Sequence, residues 1–142
     1  MTLPSTLLFE MTLGPLSAIS LGETTCTERR LATIGGGRFT GPQLIGSVEP
    51  GGTDWINVRS DGVRELDVRL VLRTDEGEAF AMSYRGYRID SPDPDSLEGA
   101  HLYRTLHWFE AGGRLAWLNS IVAAGIGARD ERGLVYHVYR IG

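Results

Sequence analysis

The stretch DWINVRSDGVRELDVRLVLRTD, from Asp54 to Asp75, decides the fold of the chain. Two β-rich runs flank the tripeptide Ser60-Asp61-Gly62, which can reverse the chain, so the stretch predicts a β-hairpin. In the second run aliphatic and charged residues alternate, and successive side chains of a strand point to opposite faces. The run therefore predicts a sheet with one dry side. Its aliphatic residues are Leu66, Val68, Leu70 and Leu72, and its charged residues are Glu65, Asp67, Arg69 and Arg73.

Similar patterns recur along the whole chain. Further β-like runs occupy residues 6–13, 16–21, 24–34, 43–48, 79–87, 101–109, 116–126 and 134–141. Turn signals separate them about every ten residues, and none has the flanking caps of a helix. A sheet of about eight to nine antiparallel strands most often closes on itself to hide its edges. We therefore expect an all-β, single-domain antiparallel β-barrel over residues 1–142, with a two-layer β-sandwich as the alternative.

Two irregular segments interrupt the strands. The glycine-rich stretch Gly35 to Pro42 matches neither the P-loop nor the dinucleotide fingerprint, and no helical pattern follows it. It predicts a bulge or a barrel bend, where glycine permits a positive φ, in preference to a phosphate site. The acidic, proline-containing segment Asp90 to Gly99 predicts an exposed loop that can cover one end of the barrel.

Composition excludes several function classes. The net charge is −4 and the basic residues do not cluster, so we expect no nucleic-acid partner. All 14 basic residues are arginine, which excludes a lysine Schiff base, and the single Cys26 excludes an internal disulfide and a cysteine-based metal site. The N-terminus has no signal-peptide pattern and no run is long enough for a membrane helix. We expect a cytoplasmic protein without cofactor or metal.

Six sequence blocks together resemble a known family. They are GGGRFTGP (Gly35 to Pro42), GSVEPGGTDW (Gly46 to Trp55), RSDG (Arg59 to Gly62), LDVRLVLRTDEG (Leu66 to Gly77), YRT (Tyr103 to Thr105) and WLN (Trp117 to Asn119). In this order they are similar to the bacterial and fungal family called domain of unknown function 3237. The resemblance implies a small antiparallel β-barrel and no assigned activity or catalytic residues. The chain departs from the family pattern at Leu70, where an aromatic residue is common.

Polar residues within the matched β-runs are the candidate site. They are Asp54, Asp67, Arg69, Arg104 and Asn119. If they point into the barrel, the Arg69 guanidinium can hold a carboxylate, phenolate or enolate while Asp54 or Asp67 acts as a base. The structural alternative is a solvated outer face with salt bridges between strands, because Asp67 and Arg69 alternate with four aliphatic residues. A buried Arg69 would need an acidic partner.

Aromatic residues supply a second set of candidates. These aromatic residues can line a pocket for an aromatic or polyketide-like molecule, or can as easily belong to the core. They are Trp55, Tyr84, Tyr103, Trp108, Phe109 and Trp117. His101 and His107 lie about 20 Å apart along one strand and cannot share a metal. No serine stands in a nucleophile-elbow motif.

Three functional hypotheses follow from these residues. The first is a cofactor-free isomerase, cyclase or hydrolase acting on a small aromatic or polyketide-like metabolite. The second is a non-catalytic barrel that binds an apolar metabolite. The third is a structural protein whose outer faces form a homo-oligomer. An open lumen containing Asp and Arg favours the first, whereas a dry, filled lumen favours the third.

Overall fold

The computed structural model describes residues 1–97 and 99–142 of the chain. Within these ranges the chain forms eleven strands and one 3-10 helix, Gly113–Ser120. The strands are β1 (Ser5–Leu13), β2 (Leu16–Gly22), β3 (Glu28–Ile34), β4 (Gly37–Thr40), β5 (Ile45–Val48), β6 (Gly52–Val58), β7 (Arg64–Thr74), β8 (Ala79–Asp90), β9 (His101–Glu110), β10 (Ala123–Asp130) and β11 (Gly133–Ile141).

Eight of these strands close into a ring. The order is β7-β5-β4-β1-β11-β10-β9-β8, and β8 pairs back onto β7. All neighbours in the ring are antiparallel. Because β8 pairs back onto β7, the ring has no unpaired edge. Strands β6, β3 and β2 attach in that order to β7 and extend the wall at one end. The prediction of an antiparallel β-barrel is confirmed, and the sandwich alternative is wrong.

The predicted alternation in β7 positions the core. The four aliphatic residues of the predicted dry face point inward and are buried, whereas Arg69 and Val71 between them are exposed. Towards one end of the lumen four phenylalanines pack with ring centroids 5.5–6.3 Å apart. They are Phe9, Phe39, Phe80 and Phe109.

The 3-10 helix closes this end of the barrel. Its Leu115 and Leu118 are three residues apart, so they lie on one side of the helix and are both buried. The prediction of a buried strand over 116–126 is therefore wrong for its first half, and extended structure begins only at Ala123. Among residues 1–97 and 99–142, no helix is both long and apolar enough to cross a membrane.

The two irregular segments follow their sequence signals. Gly36 and Gly37 adopt φ values of +139° and +152° between β3 and β4, which confirms the predicted bend. A Cβ on Gly37 would lie 2.0 Å from the backbone oxygen of Thr12, so the close approach of β1 also requires glycine. Residues 91–97 form a largely exposed loop, as expected, and Glu98 of the same predicted loop lies outside the described residues.

Candidate functional site

The end of the lumen opposite the 3-10 helix holds a cavity of about 170 Å³. Its walls combine apolar residues such as Leu13, Ile34 and Ile56 with an unusual number of polar groups. The polar residues are Arg30, Asp54, Arg64, Tyr84, Arg88, Tyr103, Arg129 and Tyr136. A filled core would exclude these groups, because a buried charge is costly unless it is paired. We therefore take this cavity as the candidate site.

Asp54 of β6 is the carboxylate of the cavity. Its backbone pairs with Val68 of β7, which in turn pairs with Tyr84 of β8, so the three residues form one row across the inner wall. The Oδ1 atom of Asp54 accepts a hydrogen bond of 3.1 Å from the backbone N–H of Asp67. Burial raises the pKa of Asp54 to about 6, and the bond from Asp67 opposes part of this rise. A carboxyl group with this pKa can exchange protons near neutral pH.

Three tyrosines surround this part of the lumen. The Tyr136 ring packs edge-on against Tyr84 and Tyr103, with centroid distances of 5.4 and 5.9 Å. Tyr103 and Tyr136 approach each other across Gly127, where an added Cβ would lie 2.8 Å from each side chain. Burial, reinforced by the charge of Asp54, raises the pKa of both Tyr84 and Tyr136. These two hydroxyl groups therefore stay protonated and can donate hydrogen bonds.

His107 lies behind the tyrosines and is wholly buried. Its ring stacks on Tyr84 at a centroid distance of 4.4 Å, and its Nε2 lies 2.7 Å from the hydroxyl of Thr105. Burial lowers the pKa of His107 to about 3, so the imidazole is neutral at physiological pH. It packs the inner wall and supports Tyr84, and does not line the cavity.

Four arginines face the cavity. Arg30 forms a salt bridge of 2.9 Å with Glu28, and the Nε of Arg129 donates to the Tyr103 hydroxyl over 3.3 Å. Arg64 and Arg88 are directly opposite each other on β7 and β8. Over residues 1–97 and 99–142, only their two Nε atoms are buried side-chain nitrogens or oxygens without a hydrogen-bond partner.

The structure brings two of the predicted site residues together. Asp54 and Tyr103 line the cavity. Asp67 and Arg69 lie on the outer face of β7, where the Asp67 carboxylate is 3.6 Å from Nε of Arg85. The expected constellation of Arg69 beside an inward aspartate therefore does not form.

The other four predicted residues lie elsewhere. Trp55 is 39% exposed on the outer face, and the Arg29 guanidinium stacks over its ring at 5.2 Å. Arg104 is also on the outer wall and donates to the backbone carbonyl of Tyr103 over 3.0 Å. Trp117 and Asn119 belong to the 3-10 helix at the closed end. The Asn119 amide makes two bonds to the backbone of Ala111, of 2.7 and 2.8 Å, and so fixes this turn.

Sequence reasoning missed most of the cavity arginines and tyrosines, although a signal was present. Arg64 stands two residues before Leu66 and therefore continues the aliphatic face of β7. Arg88 likewise continues the buried face of β8 that includes Met82 and Tyr84. A charged residue in register with a buried face is the pattern that marks this site.

Neither a group of metal ligands nor a thiol is part of the cavity as the described residues form it. Among residues 1–97 and 99–142, no group of three or more His, Cys, Asp or Glu side chains is arranged to hold a metal ion. The Cys26 thiol lies outside the cavity and contacts the backbone oxygen of Glu28 at 3.2 Å and the Asn57 amide oxygen at 3.5 Å.

A wider groove of about 750 Å³ crosses the outer wall of β6 to β10. It exposes the aromatic residues Trp55, Tyr87 and Trp108 between charged side chains. The groove is shallow and open to water, and its charged residues lie on the solvent side of the sheet. The smaller cavity is the better catalytic candidate because it removes a carboxylate and several hydroxyls from solvent.

Known proteins share this architecture. A UPF0311 protein of Clostridium acetobutylicum is 27% identical over 147 residues, which cover 94% of this chain and 90% of that protein. The crystal structure of a beta-barrel like protein from Acinetobacter baumannii has a TM-score of 0.83 at 27% identity, over 98% of this chain and 97% of that one. The crystal structure of an enzyme from Penicillium herquei has a TM-score of 0.79 at 19% identity, over 100% and 96%, which shows likeness of fold alone. Residues 3–141 match the family model described as "Protein of unknown function (DUF3237)", and the chain therefore belongs to that family.

Proposed function

We propose that this protein is a cofactor-free enzyme that transfers protons on a small organic molecule bound in the open end of the barrel. The observation that carries the proposal is the cavity that gathers the half-buried Asp54 carboxylate with Tyr84, Tyr103 and Tyr136. Isomerisation, cyclisation and hydrolysis can each be catalysed by such a proton transfer, and the proposal covers these three types.

Asp54 is the base of the proposed reaction. Its Oδ1 is held by the Asp67 N–H, which leaves Oδ2 to take a proton from an acidic C–H, an O–H or a water molecule. Tyr84 and Tyr136 remain neutral because burial raises the pKa of each. Neutral hydroxyls can stabilise the oxyanion that develops on the substrate when it loses a proton. The Tyr136 hydroxyl donates to that of Tyr84, so the site pairs one base with one tyrosine hydroxyl that can donate to the substrate.

The size of the cavity limits the substrate. Its volume of about 170 Å³ lies below the roughly 300 to 1,000 Å³ of pockets for drug-sized ligands. The enclosed part of the substrate is therefore about one ring in size, with any larger aromatic or polyketide-like body extending through the open end. The Penicillium herquei protein, which is called an enzyme, lends support to catalysis on this fold.

Proton exchange tests the proposal directly. Aryl ketones and 1,3-dicarbonyl compounds are incubated with the protein in deuterated water, and loss of their acidic C–H signals is followed by NMR. We expect the wild-type protein to accelerate exchange and Asp54→Asn to reduce the rate by about 10²-fold or more. Tyr84→Phe removes one donor and is expected to cost less.

Asp67→Asn is the matched control for Asp54→Asn. Both substitutions remove a carboxylate charge, but the Asp67 side chain lies on the outer face of β7. Retained exchange in Asp67→Asn and lost exchange in Asp54→Asn place the base in the cavity. Equal exchange rates in wild type and a folded Asp54→Asn contradict the proposal.

A homo-oligomeric structural role is the second candidate, and the outer groove is the observation that favours it. The groove combines exposed Trp55, Tyr87 and Trp108 with cations such as Arg85 and anions such as Asp67. A surface that carries both charges beside aromatic rings can be complementary to a second copy of itself. Light scattering tests this role: a monomer at all concentrations removes it, and a dimer that Trp108→Asp dissociates supports it.

A further inference from the structure

Arg64 and Arg88 form a cationic pair at the wall of the cavity. They are cross-strand partners on β7 and β8, and both lie on the inward-facing side of their strands. Like charges directly opposite each other destabilise an antiparallel sheet. The barrel nevertheless places them together at the end that also contains Asp54. A destabilising arrangement of this kind is typical of a binding site.

The nearby acidic groups leave the pair incompletely compensated. Glu28 forms its salt bridge with Arg30, and the Asp54 oxygen Oδ1 accepts from a backbone N–H. The Nη2 of Arg88 lies 2.9 Å from Nε2 of His101, which leaves its Nε–H unused.

Two buried N–H donors of the described residues therefore lack a hydrogen-bond acceptor. Each belongs to a guanidinium group, and each is the Nε–H of an arginine that lines the cavity. A buried donor without a partner loses its hydration and gains nothing in exchange. Burial lowers the pKa of Arg88, and the positive charges of Arg64 and Arg129 lower it further. Tyr103 and Asp90 oppose part of this change. An anion between Arg64 and Arg88 would reduce the repulsion between their charges and would offset part of the free energy of burying them.

The remaining walls of the cavity restrict the kind of anion. Leu16, Ala18, Ala32, Ile34 and Leu134 contribute apolar surface. A wholly polar anion such as inorganic phosphate would leave this surface without a partner. An organic anion with a compact apolar body satisfies both parts of the cavity at once, and a planar carboxylate is the anion that arginine forks match best.

We propose that the ligand of this cavity is a small carboxylic acid with a one-ring or similarly compact apolar body, whose carboxylate lies between Arg64 and Arg88. The inference rests on the proposed function only in placing the ligand in the same cavity. In this arrangement the carboxylate pairs with the guanidinium groups of Arg64 and Arg88, and the apolar body packs on the aliphatic wall. Asp54 then faces the body of the acid and not its charged end.

Paired acids and amides test the ligand class. The probes are benzoate, phenylacetate and cyclohexanecarboxylate, each compared with its neutral amide, with inorganic phosphate as the wholly polar anion. Calorimetry and thermal unfolding are measured at neutral pH for the wild type. We expect at least one acid to bind and to raise the midpoint of unfolding, while its amide and phosphate bind at least about tenfold more weakly.

Three arginine variants test where the carboxylate binds, and a fourth variant tests the base. Arg64→Gln and Arg88→Gln are each expected to weaken binding of the acid at least about tenfold, which corresponds to about 1.4 kcal/mol. Without the acid, both are expected to fold and to melt at or above the wild-type midpoint, because each removes a like-charge pair. Arg85→Gln is the matched control, since Arg85 lies three residues before Arg88 on the exposed face of β8. It is expected to bind like the wild type.

The fourth variant separates this inference from the proposed function. Asp54→Asn removes the base but not the arginine pair, so we expect it to bind the acid as tightly as the wild type or more tightly. Acid binding that survives in Asp54→Asn, together with unchanged proton exchange, would overturn the catalytic proposal alone. Acids that bind no better than their amides, or that bind Arg64→Gln and Arg88→Gln as tightly as the wild type, would overturn the carboxylate site.

Discussion

The ionised Asp54 carboxylate lowers the free energy of unfolding of the barrel. Its ordinary pKa is about 4, and burial in the cavity raises the pKa to about 6. Between these two values the folded chain binds more protons than the unfolded chain, so stability falls as the pH rises through this window. Above about pH 6 the loss is complete, because Asp54 is then ionised in both states. A residue that weakens the fold at neutral pH in this way is common at active sites.

Asp54→Asn is therefore expected to stabilise the protein above about pH 6. One pKa unit corresponds to about 1.4 kcal/mol, and Asp54 keeps some contact with water, so the gain in unfolding free energy is about 1 to 3 kcal/mol. The gain should shrink towards zero as the pH falls to about 4. Urea unfolding at several pH values measures this dependence. A variant that is less stable than the wild type at about pH 8 would show that the carboxylate is stabilising.

The arginines of β7 show which single residues a sequence can place. The alternation in this strand left Arg69 either inward as an anion holder or outward on a solvated face, and the structure places it outward. The same register places Arg64 inside, but only the closed barrel shows that it meets Arg88 and Asp54 in one cavity. Their proximity depends on strand pairing between β6, β7 and β8, which a pattern of alternation does not specify.

At the scale of elements, the two ends of the barrel are built differently. The 3-10 helix and the phenylalanine cluster fill one end with apolar side chains. At the other end, β2, β3 and β6 extend the wall around a polar cavity. Apolar packing at the filled end stabilises the fold, which allows the opposite end to keep charges without a partner. One end therefore supplies stability, and the other carries the candidate site.

Leu118→Ala tests this division. Leu118 is wholly buried beneath the 3-10 helix, and truncating a buried leucine costs about 2 to 5 kcal/mol. We expect a loss of this size in chemical unfolding, with unchanged affinity for the carboxylic acid while the barrel remains folded. Val71→Ala is the control, because Val71 is 45% exposed, and its effect should stay within about 0.5 kcal/mol. Acid binding that weakens in the folded Leu118→Ala protein would show that the ends are coupled.

Local signals predicted some elements better than others. The hairpin around Gly62 forms as expected, since glycine there has a φ of +86° that the turn requires. The run 116–126 was predicted as a strand because a short apolar run has no periodicity that separates strand from helix. Leu115 and Leu118 of the 3-10 helix instead enter a lumen that exists only once distant strands have closed the ring. Tertiary burial therefore decides this element.

At the scale of the whole molecule, the inner wall and the outer wall of the barrel each carry a candidate surface for a ligand. The enclosed cavity holds Tyr84, Tyr103 and Tyr136, and the outer groove exposes Trp55, Tyr87 and Trp108. Closure of an antiparallel sheet into a barrel was predictable from the number of β-runs, although the described residues form eleven strands and not eight or nine. The choice between the inner and the outer surface was not predictable. That choice requires knowing which polar residues the closed wall encloses.

The position of a bound acid relative to these aromatic rings decides whether the ligand binds inside the barrel. Nuclear Overhauser effects are measured between the ring protons of benzoate, or of the tightest-binding acid found, and the aromatic protons of the protein. We predict contacts to Tyr84, Tyr103 and Tyr136 that disappear in Arg88→Gln. Contacts to Trp55, Tyr87 and Trp108 instead would place the ligand on the outer wall and contradict a site inside the barrel.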